Sequence, residues 1–156
     1  MTAPPPASGK AGVVGLGLIG GSLALDLQYL GWTVPGLVHR QTTAARALQR
    51  GLAHAVSTDP ACLSSCDLVI MALPIPLLLN PDPALVAALP AEAVITDVGS
   101  VKQPVLEVWR HRHPRFVASH PMAGTAAAGV DAGQRGLFMQ RPWIATPDAT
   151  TDPQAL

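Results

Sequence analysis

The sequence has few charged and few aromatic residues. Of its 156 residues, 13% are charged and 4% aromatic, while 49% are hydrophobic. The 10 basic and 10 acidic side chains give a formal net charge of zero. This balance argues against a nucleic acid or an anionic membrane as partner, because both attract a basic surface. The hydrophobic content excludes disorder over most of the chain, and the length predicts one domain.

Cysteine is nearly absent. Cys62 and Cys66 are too few for a disulfide framework and indicate a reducing compartment, so we expect a cytoplasmic location. They also predict no metal site, because zinc needs further ligands and His54 is the one candidate nearby in sequence.

One uncharged stretch, residues 11–25, resembles the apolar core of a signal peptide. It is shorter than the roughly 18 residues that a membrane-spanning helix needs. It also contains five glycines, which are poor helix formers. We therefore expect neither a targeting segment nor a membrane anchor. Residues 1–9, rich in proline and alanine, predict a disordered tail.

Short apolar segments alternate with helical patterns along the rest of the chain. The predicted strands cover residues 11–14, 33–39, 52–56, 67–73, 93–98, 116–119 and 143–146. The predicted helices cover residues 20–30, 42–50, 77–89 and 105–111, the third interrupted by prolines. Strands alternating with helices predict an α/β fold: a Rossmann-type doubly wound, mostly parallel sheet with helices on both faces. We expect this domain to cover residues 10–147.

A glycine-rich turn joins the first predicted strand to the first predicted helix. In this setting one glycine permits a tight turn, one lets a pyrophosphate approach the backbone, and one lets helix and strand pack closely. The helix N-terminus adds free N–H groups for the phosphates. A purely structural glycine turn is the alternative. The residues predicted to bind a dinucleotide here are Gly15, Gly17, Leu18, Ile19 and Gly20.

The end of the second predicted strand indicates which dinucleotide binds. An acidic residue roughly 20 positions beyond the glycines would bind the ribose of NAD, but none is present there. Arg40 can instead form a bidentate contact with the 2′-phosphate of NADP, so we expect NADP rather than NAD. A solvated surface role is the alternative for Arg40. The further residues predicted to bind this cofactor are His39, Arg40, Gln41, Thr42, Leu73, Pro74 and Ser100.

Two polar segments follow the fifth and sixth predicted strands, at the sheet edge where ligands bind in such folds. One contains Ser100 and the other contains His120. A histidine titrates near neutral pH, so His120 is a candidate base for a substrate hydroxyl. Ser100 can form a hydrogen bond with the same hydroxyl or with the imidazole.

Structural roles compete with these catalytic ones. Ser100 and Gln103 also match a capping box, with Pro104 near the helix start, and the pattern alone favours this role for Ser100. Asp97 is expected to bond loop backbone rather than to act in catalysis. Lys102 is expected to be a solvated helix residue.

Three segments together resemble the prephenate/arogenate dehydrogenases of tyrosine biosynthesis. They are Gly15-Leu16-Gly17-Leu18-Ile19-Gly20-Gly21-Ser22, Asp97-Val98-Gly99-Ser100-Val101-Lys102 and His120-Pro121-Met122-Ala123-Gly124-Thr125. They occur in the order and at the spacing of that family, and the resemblance covers about residues 10–147. Residues 124–138 are most similar to the cyanobacterial-type, NADP-dependent arogenate dehydrogenases.

The resemblance implies a reaction and a set of site residues. The C4 hydroxyl of arogenate or prephenate is oxidised, hydride passes to NADP and carbon dioxide leaves C1, giving tyrosine or 4-hydroxyphenylpyruvate. His120 would be the catalytic histidine that bonds the C4 hydroxyl, with Ser100 supporting it. Gly124 and Thr125 would line the substrate loop. Ala126 stands where some prephenate-preferring members carry an acid, which favours arogenate.

The resemblance also implies a second, all-helical domain that forms a homodimer and supplies an arginine to the substrate carboxylate. Residues 148–156 are expected to begin the linker to that domain. We therefore expect this chain to be the cofactor domain, able to bind NADP and poorly active alone. Two alternatives stay open: another dehydrogenase on the same fold, and a non-catalytic NADP-binding module.

Overall fold

The structure is a computed structural model that describes residues 9–156. Residues 1–8 of the tail predicted to be disordered lie outside the described residues. Gly9 lies inside them, and its carbonyl oxygen accepts the N–H of Thr33 at 3.0 Å.

Six parallel strands form the main sheet, in the order β3-β2-β1-β4-β5-β6. The strands are β1 (Ala11–Val14), β2 (Pro35–Leu37), β3 (Ala55–Ser57), β4 (Leu68–Met71), β5 (Val94–Asp97) and β6 (Phe116–Val117). The strand order reverses between β1 and β4, and such a switch point opens a crevice at the carboxyl ends of the strands. The prediction of a Rossmann-type parallel sheet is confirmed.

Five α-helices connect these strands: α1 (Leu18–Tyr29), α2 (Gln41–Gln49), α3 (Ile75–Leu79), α4 (Pro83–Ala88) and α5 (Gln103–Trp109). The single interrupted helix predicted at 77–89 is two short helices, α3 and α4. The break occurs because prolines cannot continue a helical ladder. Asp82 begins α4 by accepting the N–H of Ala84 at 2.8 Å.

The core has two layers, one on each face of the sheet. Val13 and Val14 are adjacent in β1 and therefore point to opposite faces. Val13 packs with small and branched residues of α1 and α2, while Val14 belongs to the larger cluster that includes Trp109 of α5. Helices thus cover both faces, as predicted, and hold the carboxyl ends of the strands in fixed relative positions.

Pro35 opens β2 although this strand lies between two others. A proline is tolerated at the first position of a strand, where its missing N–H interrupts the ladder least. The predicted strand at 33–39 is therefore reduced to Pro35–Leu37, preceded by an isolated bridge between Lys10 and Thr33.

The chain leaves the main sheet after β6 and forms a separate antiparallel pair. β7 (Ser119–Pro121) pairs with β8 (Trp143–Ala145), and His120 lies opposite Ile144. The strand predicted at 116–119 is therefore divided between two sheets. Residues 122–142, called the crossing loop below, run across α1 and α2 before the chain returns as β8.

Within residues 9–156, no helix is long and apolar enough to span a membrane. The same residues contain no group of three or more histidine, cysteine or acidic side chains placed to hold a metal ion.

Candidate functional site

The glycine-rich turn after β1 lies at the switch point of the sheet. Gly15 has a φ of +88°, and a Cβ there would overlap the carbonyl oxygen of Ala72. A Cβ on Gly20 would overlap the carbonyl oxygen of Gly15. These two glycines are thus required by the fold itself, because a side chain on Gly15 would push the turn away from the end of β4 and one on Gly20 would push α1 away from the turn.

Gly17 is different. It is the N-cap residue of α1, with a φ of −77° that other residues adopt, and a Cβ on it would meet no atom within 4 Å. Glycine is tolerated at an N-cap, but neither a positive φ nor a close neighbour requires it here. The open space beside it, at the N-terminus of a 12-residue helix, fits a group that approaches the backbone closely, as a pyrophosphate does.

A first cleft of about 530 Å³ lies beside this turn. It contains most of the residues predicted from the two polar segments and the glycine turn. Ser100 and His120 are both in its lining, so the structure brings together the two candidate catalytic residues. The other predicted residues in its lining are Gly15, Gly17, Leu18, Ile19, Gly20, Leu73 and Pro74.

A second cleft of about 730 Å³ continues from the glycine turn to the end of β2. His39 and Arg40 line it, and both are exposed. Gln41 and Thr42 do not line it: Gln41 donates from Nε2 to the Thr58 hydroxyl at 2.8 Å, and Thr42 is exposed on the first turn of α2. The prediction that these two residues face the cofactor is therefore not supported by the shape of this cleft.

Two hydroxyls that line the second cleft were missed as cofactor residues, namely Thr43 and Thr58. Thr43 lies in the first turn of α2. Thr58 directly follows β3. Because ligands bind at the carboxyl ends of parallel strands, this position alone predicts that Thr58 lies in the cleft.

His120 lies in β7, half-buried, with its imidazole in a defined orientation. Its Nδ1 atom is 2.8 Å from the carbonyl oxygen of Val98. A carbonyl only accepts, so Nδ1 carries the proton of this bond, and the neutral ring has an unprotonated Nε2. Among residues 9–156, no hydrogen-bond partner contacts Nε2. The ring can therefore accept a proton from a group in the first cleft.

Ser100 does not cap the following helix, so the favoured capping role is wrong. α5 begins at Gln103, with Lys102 at the N-cap and no side-chain cap. If Ser100 capped the helix, residue 104 would have to donate the first helical hydrogen bond, and Pro104 has no N–H to donate. A start at Gln103 places Pro104 in the first turn, where N–H groups have no helical partner. The Ser100 side chain is instead exposed beside the first cleft.

Asp97 and Lys102 form a buried ion pair behind His120. Asp97 is fully buried and accepts the N–H groups of Gly99 at 2.9 Å and Ser119 at 3.1 Å, as expected for a residue that bonds loop backbone. Lys102 contacts the same carboxylate and also donates to the Ser119 carbonyl at 2.6 Å. The prediction of a solvated Lys102 is wrong, because packing of β5 against β7 encloses it. Burial lowers the pKa of Lys102. The hydrogen bond and the negative charge of Asp97 act in the opposite direction and raise this pKa.

Gly124 and Thr125 are exposed and line neither cleft. The Thr125 hydroxyl accepts the N–H of Ala127 at 3.1 Å and so shapes the turn that follows. Ala127 to Gly129, just beyond, line the first cleft. The structure does not bring Gly124 and Thr125 to the cleft that contains His120.

The crossing loop is fastened to α1 and α2 at several points. Ser22 accepts the N–H of Gln134 at 2.9 Å, and Asp26 accepts the N–H of Gly136 at 2.9 Å. Arg50 donates to the carbonyls of Val130 at 2.7 Å and Gly133 at 3.0 Å. These bonds hold the part of the loop that lines both clefts.

Chemically, the arrangement joins a site for phosphates to a proton acceptor. His120 is the one ionisable side chain among the described residues that line the first cleft. The cleft is otherwise formed by glycine, alanine and apolar side chains, with the Ser100 hydroxyl at its rim. Such a site suits a reaction in which a proton is removed beside a bound dinucleotide.

Comparison with known proteins agrees with this description. Residues 23–156 match the family model described as prephenate dehydrogenase, nucleotide-binding domain. The chain is 34% identical over 149 residues to a cyclohexadienyl dehydrogenase of Zymomonas mobilis, covering 92% of this chain and 51% of that protein. It is 34% identical over 151 residues to a prephenate dehydrogenase of Bacillus subtilis, covering 92% of this chain and 41% of that one. The chain thus spans about half the length, or less, of these relatives.

Solved structures give the same result. The crystal structure of arogenate dehydrogenase from Synechocystis superposes with a TM-score of 0.81 at 37% identity, covering 93% of this chain and 52% of that one. Prephenate dehydrogenase from A. aeolicus, solved in complex with hydroxyphenyl propionate and NAD⁺, superposes with a TM-score of 0.85 at 29% identity, covering 94% of this chain and 53% of that one. The predicted resemblance is confirmed: the chain belongs to the prephenate dehydrogenase family and forms the nucleotide-binding domain of that family.

Proposed function

We propose that this domain binds NADP across the two clefts and serves the oxidative decarboxylation of arogenate or prephenate. The observation that carries this proposal is the orientation of His120. The Nδ1–H bond to Val98, at 2.8 Å, leaves Nε2 free to accept a proton in the cleft that begins at the glycine turn. Membership in the family supports the same activity.

The residues that would hold the cofactor follow from the shape of the clefts. The N–H groups at the start of α1, beside Gly17, would bind the pyrophosphate. Arg40, Thr43 and Thr58 line the second cleft and would contact the adenosine half, with Arg40 on the 2′-phosphate. When bound, NADP accepts a hydride from the carbon that carries the substrate hydroxyl.

His120 would remove the proton of that hydroxyl while the carbon is oxidised. This avoids a high-energy protonated ketone, and a positioned base contributes about 10²–10⁴-fold to such a step. Ser100, in the lining of the same cleft, would donate or accept a hydrogen bond to the hydroxyl. Loss of carbon dioxide and formation of an aromatic ring then make the overall reaction effectively irreversible.

The choice of arogenate over prephenate is the finer part of the proposal. Ala126 places no negative charge next to Thr125, and the similarity to the Synechocystis arogenate dehydrogenase at 37% identity supports the same choice. The homodimer and the cytoplasmic location stay predictions.

Calorimetric titration of the 156-residue chain with NADP⁺ and then NAD⁺ tests the cofactor. We expect tighter binding of NADP⁺, and an Arg40→Ala variant should lose about 10–100-fold in NADP⁺ affinity while its NAD⁺ affinity stays unchanged. Arg112→Ala is the matched control, because Arg112 lies away from both clefts and donates to the carbonyl of Val108. Equal affinity for the two cofactors, or tighter NAD⁺ binding, would contradict the NADP assignment.

One observation favours a second candidate, a nucleotide-binding module without turnover of its own. Among the described residues, no lysine or arginine lines the first cleft, so the carboxylates of arogenate or prephenate find no cationic partner there. An assay of NADPH formation with each substrate separates the two functions. Turnover, even at a low rate, that is lost in His120→Asn supports the dehydrogenase, whereas tight NADP binding with no turnover that depends on His120 supports the module.

A further inference from the structure

We propose that Lys102 and Asp97 are positioning residues that fix the orientation of the His120 imidazole. They do not touch the first cleft themselves. They act by holding together the two backbone segments that carry the donor and the acceptor of the His120–Val98 hydrogen bond. This inference rests on the proposed role of His120 as proton acceptor.

Asp97 is the fixed point of the arrangement. It ends β5, is 0% exposed, and accepts N–H groups from Gly99 on its own segment and from Ser119 on β7. A carboxylate so deeply buried needs an opposite charge, because leaving it unpaired is strongly unfavourable. Lys102 supplies that charge, with a side chain that is 15% exposed.

Lys102 does more than neutralise the carboxylate. Its Nζ atom contacts Asp97 and also donates to the carbonyl oxygen of Ser119 at 2.6 Å. One ammonium group therefore bridges the last residue of β5 and the first residue of β7. Within residues 9–156, β7 pairs only with β8, so no ladder joins β5 to β7.

The hydrogen bond of His120 lies between the residues that this bridge fixes. Its acceptor is the carbonyl of Val98, the residue after Asp97, and its donor ring belongs to the residue after Ser119. A shift of one segment against the other therefore changes the Nδ1 to oxygen distance of 2.8 Å directly. The neutral tautomer with a free Nε2 depends on that distance.

Other bonds hold the fold together when Lys102 is changed. The hydroxyl of Ser119 donates to the Asp97 carbonyl at 2.9 Å. Thr96 also donates to the Val117 carbonyl at 2.7 Å. Loss of the ammonium group alone is therefore expected to loosen the His120 segment without separating β5 from β6.

Nitrogen-15 NMR of the histidine side chains in the labelled 156-residue chain tests this inference. His120→Gln assigns the signal of His120 by its loss. In the unchanged chain and in Lys102→Arg, which retains the charge and the donors, we expect one tautomer with the proton on Nδ1. In Lys102→Met we expect a mixture of tautomers, with the Nε2-protonated form rising several-fold. Lys10→Met is the matched control, because Lys10 bonds Ser65 at the opposite end of β1.

A Lys102→Met chain that retains its backbone amide spectrum and an unchanged His120 signal overturns the proposal. If that variant does not fold, the double variant Asp97→Asn, Lys102→Met removes both charges and leaves no unpaired carboxylate. The same tautomer mixture is expected there, and an unchanged His120 signal in it overturns the proposal equally. The measurement needs no substrate, so its outcome is independent of whether the proposed dehydrogenase activity is found.

Discussion

The carbonyl oxygen of Gly15 occupies the space that a Cβ on Gly20 would need. The first turn of α1 can therefore lie against the end of β1 only because residue 20 has no side chain. Gly17, between them in sequence, has open space on the corresponding side. One glycine-rich turn thus contains residues required for folding and a residue that folding does not require.

This difference predicts opposite effects of two alanine substitutions. Gly20→Ala should destabilise the chain by about 1–3 kcal/mol or more, because the methyl group overlaps backbone. Gly17→Ala should change stability by less than about 1 kcal/mol, because lower chain entropy favours alanine whereas the N-cap position favours glycine, and it should weaken NADP binding about tenfold or more. Urea unfolding and calorimetric titration measure the two effects. A Gly17→Ala chain that binds NADP normally would show that the open space is not used by the cofactor.

Substitution of His120 should separate binding from chemistry. Asparagine at this position retains a donor for the Val98 carbonyl but has no nitrogen that can accept a proton. We expect His120→Asn to lower kcat/KM for the dehydrogenase reaction by about 10²–10⁴-fold while NADP affinity stays within a few-fold. Steady-state NADPH formation and calorimetry measure these quantities. Retention of normal turnover in His120→Asn would exclude a role as base.

Arg50 and Arg46 both bind the crossing loop, but we expect different effects on stability. Arg50 is largely enclosed and donates to two carbonyls of the loop. Its change to alanine should cost about 1–3 kcal/mol and expose the loop amides to hydrogen exchange. Arg46 forms an exposed ion pair with Asp131 at 2.6 Å, so Arg46→Ala should cost less than about 1 kcal/mol. Equal losses in urea unfolding would contradict this ranking.

The thiol of Cys66 should make stability depend on pH in the alkaline range. Burial raises the pKa of this thiol from 9.0 to about 11. Below pH 9 the Cys66 thiol is protonated in both the folded and the unfolded chain. Between pH 9 and about pH 11 the thiol is protonated only in the folded chain, so the free energy of unfolding falls as pH rises. The loss should approach about 3 kcal/mol once the pH exceeds the folded-state pKa.

Comparison with Cys66→Ala isolates this effect from other titrating groups. The difference in unfolding free energy between the two chains should shrink between about pH 9 and about pH 11, because in this range only the unfolded chain loses the thiol proton. A difference that stays constant over this range would show that Cys66 ionises alike in both states.

The fold and the glycine turn were predictable because their signals are local. Gly15, Gly17 and Gly20 are close in sequence, and central strands such as β1 and β4 are contiguous apolar runs. Lys102 was placed wrongly because Ser119, whose carbonyl accepts its ammonium group, belongs to β7 and is 17 positions away. Thr43 was missed as a cleft residue because α2 begins at Gln41, one residue before the predicted start at residue 42. A shift of one residue along a helix turns the side chain by about 100°. The position of Thr125 depends on the path of the crossing loop, for which no local pattern exists.

Gly129 of the crossing loop lines both clefts, together with the glycine turn. A dinucleotide that fills the clefts therefore contacts a loop whose other bonds go to α1 and α2. Loop order and ligand occupancy are then thermodynamically linked, so each must favour the other by the same free energy. A substitution on the outer surface of α2 can in this way alter cofactor affinity without touching the cofactor, and saturating cofactor can restore a loop that such a substitution has loosened.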